Sequence, residues 1–411
     1  MRRFLGAILA SALAAALPAI PAIGQTGPPP TPVPPVVGSP SPYPQSLETP
    51  EPSAKPPRVE AASVALVDLD GRRVLWERRA GERRPIASLT KIMTVLIALE
   101  STDLDELVTV SERAAAESGS ELGLVSGERI PVEELLYALL LQSSNDGAIA
   151  LAEHLGGSVE RFARRMNRRA RELGLRDSNF RSPHGLDDRG YSTARDVAEL
   201  TAEAFSHPAF VRIARTKLRV IPAPGGPPRR IQSRNAMLWL YEGSVGVKTG
   251  FTSAAGFCLV VAAERRGRRL AAVLLGAPQA AFSDAAAVLD HGFFAWRIRT
   301  LAEEGEALQP LAIDGRQVPV ETGAAIEGLV RRGQGSVLRV LPDASIGLPV
   351  REGGVLGEVV AIVEGEEAGR APLVASADVE GEPAREGLPP WWDELLDSIA
   401  STIPRWLEAI F

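Results

Sequence analysis

Between Ile86 and Leu99 a serine and a lysine stand three residues apart at the head of an apolar periodic run. Ile92, Val95, Leu96 and Leu99 recur at helical spacing, which predicts a helix with one face turned to a core. Positions i and i+3 share a face one turn apart, so the Lys91 amine is within reach of the Ser88 hydroxyl. A serine needs an adjacent base to become a nucleophile, and a lysine can be that base only when burial or a nearby cation lowers its pKa. Composition bears on this point. Of 45 basic residues only four are lysines, namely Lys55, Lys91, Lys217 and Lys248. Arginine keeps its proton in proteins whereas lysine can release it, so a lysine retained at position 91 points to deprotonation there. Taken alone, Ser-x-x-Lys fits a solvated helix lysine better, because such pairs are common.

The surrounding pattern alternates between strand and helix. Folding is expected from about Val59. Ala62–Asp70 reads as a strand, Asp70-Gly71 as a turn, and Arg73–Arg78 as the partner strand of a hairpin. About Asp105 to Leu173 reads as mainly helical. In its middle the apolar stretch Leu135–Leu141 runs into Gln142-Ser143-Ser144-Asn145-Asp146, and the apolar pattern resumes at Ala148. A polar cluster between buried helices must be hydrogen-bonded or cost stability; it is either a site or a polar turn, with Asp146 readable as a helix cap. Strands return after about Val245, with a hairpin from Phe257–Glu264 to Leu270–Leu275 and a closing helix from Ser283 to about Trp296. This order predicts an α+β fold, one antiparallel sheet covered by helices.

Lys248-Thr249-Gly250 supplies a third motif. Ser-x-x-Lys, then Ser-x-Asn (Ser143, Asn145), then Lys-Thr-Gly is the set found in penicillin-binding proteins and serine β-lactamases. Further stretches agree: Met166-Asn167, Leu173-Gly174-Leu175, Phe180–Leu186, Tyr191–Asp196 and Arg234-Asn235. On these residues the chain resembles the low-molecular-weight penicillin-binding proteins, D-alanyl-D-alanine carboxypeptidases of serine peptidase family S11, over about Val59 to Trp296. The resemblance implies a penicillin-binding/β-lactamase-like transpeptidase fold and removal of the terminal D-alanine from peptidoglycan stem peptides, with β-lactams as covalent inhibitors. It implies that Ser88 attacks the carbonyl and Lys91 takes the proton. Ser143 and Lys248 would relay a proton to the leaving amine and keep Lys91 partly neutral. Asn145 would hold either a substrate amide or Lys91. The backbone N–H groups of Ser88 and Phe251 would form an oxyanion hole, one such donor being worth about 2.7–4 kcal/mol of barrier. Lys248, Thr249 and Arg234 would bind the terminal carboxylate and Gly250 would also contact substrate, although for Arg234 a surface ion pair suits equally. His184 reads as a turn residue, since Lys91 already fills the role of base. No metal or other cofactor is implied. Two departures stand out: Gln279–Asp284 lacks an arginine expected near the last helix, and no Glu-x-x-Leu-Asn stretch of the class A β-lactamase kind occurs. A D,D-endopeptidase acting on crosslinks and a catalytically silent wall-binding protein are the alternatives.

The remaining segments set location. Residues 1–24 read as a secretory signal, with Arg2 and Arg3 ahead of an apolar run and small residues at Ala22–Gly24; a retained anchor is the alternative. Residues 25–58 are dominated by proline and read as a disordered tether. The catalytic domain is expected over 59–298, and a small all-β domain over 299–384. Residues 385–411 read as an amphipathic C-terminal helix carrying Trp391, Leu395, Ile399, Ile403, Trp406 and Ile410. Peripheral attachment to a membrane surface fits its apolar face, and packing on the β domain fits its acidic polar face and Pro404. The chain is thus expected in an exported, extracytoplasmic location at the cytoplasmic membrane. The net charge of −6 argues against nucleic-acid binding. Cys258, the one cysteine, has apolar neighbours and reads as a buried small residue.

Overall fold

In the computed structural model, residues 47, 49, 51–278 and 281–381 are described. The expected signal segment 1–24 and C-terminal helix 385–411 lie outside the described residues. Among the described residues, no helix is long and apolar enough to cross a membrane.

Five strands form the central sheet: β1 (Ser63–Asp68), β2 (Arg73–Arg78), β3 (Ser244–Thr252), β4 (Gly256–Arg265) and β5 (Arg268–Ala277). Their order is β2-β1-β5-β4-β3, and every neighbouring pair is antiparallel. Strand side chains alternate between faces, and here both faces are buried, so the strands read as nearly continuous apolar runs. Ala65, Val67, Val260, Ala262, Ala271 and Val273 pack into one core with the helical region. Val64, Leu66, Leu259, Val261, Ala272 and Leu274 pack into the other, under a helix at Ala281–Ala295. The expected α+β fold with a helix-covered antiparallel sheet is observed.

Three helices of the middle region matter for the site: α1 (Lys91–Leu99), α2 (Asn145–Gly156) and α3 (Val159–Glu172). Lys91 through Ala98 are all buried, which makes α1 the central core helix. A single 3₁₀ turn, Ala87–Thr90, precedes it and carries Ser88. Serine and lysine are therefore not on one α-helical turn as expected, but on either side of a 3₁₀-to-α junction.

The proline-rich tether was expected to extend through residue 58. Instead, from residue 51 the chain is held against the domain. The Ser53 carbonyl lies 2.9 Å from His291 Nδ1, and Arg331 donates to the Ala54 carbonyl at 2.9 Å. Composition shows that such a stretch cannot fold alone, but a neighbouring helix and strand supply the partners it lacks.

Past the closing helix, the regular elements among the described residues are all β-strands. Trp296–Ala302 pairs with Ile326–Arg331, and a four-stranded sheet is built from Val320–Thr322, Val337–Pro342, Val355–Val363 and Glu366–Ala375. The first of these strands starts at Trp296, and the closing helix, Ala281–Ala295, begins two residues earlier and ends one residue earlier than expected. Val318, Ile326, Val359 and Leu373 centre its own core. Arg73 and Arg268 tie it to the central sheet by donating to the carbonyls of Leu329 and Trp296, at 2.9 and 2.8 Å.

Candidate active site

The site lies where the 3₁₀ turn, the start of α1, the start of α2 and the edge strand β3 converge. Lys91 is fully buried. Its amine lies 3.1 Å from Ser88 Oγ and donates to Asn145 Oδ1 at 2.8 Å and to the His184 carbonyl at 3.0 Å. Asn145 completes the set by donating through Nδ2 to the Ser118 carbonyl at 3.0 Å. Of the two roles open to Asn145, the contact with Lys91 is the one present here.

Burial dominates the electrostatics. It pushes Lys91 down to about 7, assisted by the charge of Arg234 and opposed by Asp146 and Glu117. Lys248, also buried, is held well below the ordinary lysine range by burial first, then by the charges of Lys91 and Arg234. Arg234 is thus a further cation that bears on both lysines. A fully buried Lys248 is itself a poor carrier of charge. Its amine donates to the Thr249 carbonyl at 2.7 Å, and among the described residues no hydrogen bond joins it to Ser143.

The local backbone explains how these groups meet. The helix Val132–Tyr137 passes into a π-helical turn at Ala138–Gln142, and Ser143 then takes a left-handed φ of 69°. That reversal ends one helix and lets the next begin two residues later. Ser144 caps α2 by accepting from Gly147 N at 2.9 Å, and the Asn145 N–H donates to the Ser120 carbonyl at 2.6 Å. On β3, Gly250 lies so close to the 3₁₀ turn that a Cβ there would come within 2.8 Å of Ser88 N. Glycine is needed at this step of Lys-Thr-Gly because the edge strand packs directly on the serine's backbone. Thr249 is buried beside it, and Phe251, the next residue, is 42% exposed.

Several contacts that build the site had no local signal. Asp146 does more than cap: its carboxylate accepts N–H groups from Leu122, Gly123 and Leu124 at 2.9–3.1 Å. It thereby clamps the loop carrying Ser118 and Ser120. Arg234 Nη1 donates to Ser120 Oγ at 2.7 Å, joining the same wall. His184 is a turn residue as expected, its Nδ1 accepting from Leu186 N at 3.1 Å. Its ring is held down to about 3, chiefly by burial and then by Lys91, so it stays neutral beside Glu117, 3.4 Å away. What the sequence did not reveal is that its carbonyl is a ligand of the Lys91 amine. Cys258 is buried, as expected.

Among the described residues, the acidic and histidine side chains near enough to one another to hold a metal are Glu100, Glu203 and His207, none of them at this site.

Comparison with known proteins agrees with the geometry. A family model for D-alanyl-D-alanine carboxypeptidase, peptidase family S11, matches residues 50–279. The chain is 30% identical over 335 residues to the D-alanyl-D-alanine carboxypeptidase DacF of Bacillus subtilis, covering 78% of this chain and 86% of that protein. It is 32% identical over 353 residues to DacC of Escherichia coli, covering 80% and 87%. Among solved structures, penicillin binding protein 5 from Haemophilus influenzae superimposes with a TM-score of 0.64 at 28% identity, covering 80% of this chain and 99% of that one. With its motifs and its fold both accounted for in this way, the chain belongs to the S11 family of D-alanyl-D-alanine carboxypeptidases.

Proposed function

We propose that in this serine-type D-alanyl-D-alanine carboxypeptidase Ser88 is the nucleophile and Lys91 its base, acting on peptidoglycan stem peptides. The observation that carries this reading is a fully buried amine 3.1 Å from the serine hydroxyl. Two partners of that amine, Asn145 Oδ1 and the His184 carbonyl, can only accept. A neutral amine therefore keeps its two N–H groups on them and turns its lone pair to Ser88.

Acylation then follows. As Ser88 Oγ bonds to the carbonyl carbon of the penultimate D-alanine, its proton passes to Lys91 Nζ. The oxyanion is met by the backbone N–H groups of Ser88 and Phe251. Collapse breaks the C–N bond. The proton returns to the departing amine through Lys91, with Ser143 and Lys248 as the relay, and D-alanine leaves. Water repeats the sequence on the Ser88 ester, with the proton again taken by the amine, and releases the shortened stem. β-Lactams would acylate Ser88 in the same way. Thr249, Gly250 and Arg234 hold the substrate's C-terminal end, Arg234 through its charge.

The rest of the chain fits an exported enzyme: 1–24 a signal, then a proline-rich tether up to the docked residues 51–58. A catalytic unit, a β unit that positions it, and a C-terminal helix on the membrane surface complete the arrangement.

The test is release of D-alanine from diacetyl-L-Lys-D-Ala-D-Ala, with intact mass after exposure to penicillin. Wild type should release D-alanine and gain one adduct, and Ser88→Ala should do neither. A Ser88→Ala protein that still forms the adduct would overturn the assignment. Activity on crosslinked dimers without release from the pentapeptide mimic would favour an endopeptidase.

A further inference from the structure

The helices that begin at the site end at a cleft the reaction does not use. Ile97 and Glu100, at the far end of α1, and Leu155 and Gly156, at the far end of α2, line a cleft of about 660 Å³. Its other wall is α3. At about 1.5 Å per residue, the 12 residues of α2 set this cleft roughly 18 Å from Asn145.

α3 lines the cleft with Arg161, Arg164, Arg165, Arg168 and Arg169. They divide into two groups. Arg165 donates to the Leu155 carbonyl at 3.3 Å and to Ser101 Oγ, and Arg169 pairs with Glu100 at 2.7 Å and Glu203 at 2.8 Å. These two serve the fold. Arg161, Arg164 and Arg168 are exposed, and among the described residues their side chains have no hydrogen-bond or ion-pair partner. Steps of three and four residues put the three on one stripe. The acidic lining does not neutralise them, since Glu100 and Glu172 face Arg169.

The chain as a whole is acidic, at −6, so it repels anions except where cations are left uncompensated. A guanidinium matches phosphate oxygens two at a time, and a stripe of three suits charges repeated along a chain better than one isolated anion. A bilayer fits poorly. The apolar lining residues, Ile97 and Leu155, are buried and half-buried, and leave nothing to insert. We propose that this cleft binds a linear, phosphate-bearing polyanion along Arg161, Arg164 and Arg168, and so anchors the enzyme to such a polymer while the catalytic pocket stays open.

The experiment measures binding of end-labelled inorganic polyphosphate to the full chain by fluorescence anisotropy, with two salt concentrations. Orthophosphate and phosphatidylglycerol vesicles form separate arms. The variant is Arg161→Gln/Arg164→Gln/Arg168→Gln, whose melting temperature and D-alanine release should match wild type. Polyphosphate should bind wild type more weakly as salt rises, and the triple variant should bind at least about tenfold more weakly than wild type. Equal binding by the two proteins overturns the proposal. Orthophosphate bound as tightly as the polymer would reduce the cleft to a single-phosphate site, and vesicle binding without polymer binding would make it a lipid contact; either result also overturns it.

Discussion

The two ends of α1 and α2 carry opposite solutions to the placement of positive charge. At their beginnings stand Lys91 and, across from it on β3, Lys248, both fully buried and both with lowered pKa. At their far ends stand the arginines of α3, exposed or half-buried, either paired with carboxylates and carbonyls or open to solvent. Helix electrostatics favour this division. The first turn of a helix carries partial positive charge, which disfavours a protonated amine at Lys91; the last turn carries partial negative charge, which arginine complements. In a chain with four lysines among 45 basic residues, two of the four are the buried amines to which the proposed mechanism gives proton transfer. On that mechanism residue type follows function at the two ends: arginine where the charge is fixed, lysine where it changes.

Lys91→Arg is the sharpest way to break this contrast. It keeps a cation of similar length but removes the means of becoming neutral. Loss of a general base costs typically about 10²–10⁴-fold, so D-alanine release should fall by that amount. Penicillin acylation, followed by intact mass over time, should slow in parallel. A Lys91→Arg enzyme within a factor of a few of wild type would remove proton transfer from the role of position 91.

The next largest effect is on stability. Lys91 is neutral in the fold above about 7, whereas the unfolded chain keeps it protonated up to its ordinary value of 10.5. The unfolded state therefore binds more protons between those limits, and stability rises with pH across that window. Lys91→Met removes this dependence. From pH 7 to pH 9, wild type should gain roughly 2 kcal/mol on the variant in denaturant melts. Parallel curves would mean that the amine stays charged in the fold.

How far the sequence reaches is visible at particular residues. The strands Ser63–Asp68 and Arg73–Arg78 and the hairpin of Gly256–Arg265 with Arg268–Ala277 were legible, because period and turn residues are local, whereas the pairing of Lys91 with Asn145 was one of two roles that the resemblance left open. The clamp of Asp146 on Leu122–Leu124 was not, since it links a side chain to backbone more than 20 residues away and any acidic residue after Ser-x-Asn reads as a cap. The same holds for the His184 carbonyl: no side-chain pattern marks a backbone acceptor. Residues 51–58 were assigned to a disordered tether because composition reports what a segment can bury by itself. His291 and Arg331, which hold it, lie more than 230 positions along the chain.

Arg234 tests the contrast most finely, because its fixed charge tunes the lysine end. Its charge lowers both Lys91 and Lys248, and its Nη1 donates to Ser120 Oγ. Arg234→Gln can keep that hydrogen bond while removing the charge. Lys91 should then move upward, so the acid limb of kcat/KM shifts to higher pH, with a severalfold loss near neutrality for about 1 kcal/mol of charge interaction. A peptide ending in a carboxylate should also show a raised KM if Arg234 pairs with that group, whereas penicillin acylation followed against pH reports the shift of the amine. An unchanged pH profile with a raised KM would assign Arg234 to the carboxylate alone, and a shifted profile with KM unchanged would assign it to the amine. Both effects together are expected, because a single guanidinium beside two buried amines cannot attract the substrate's charge without repelling theirs.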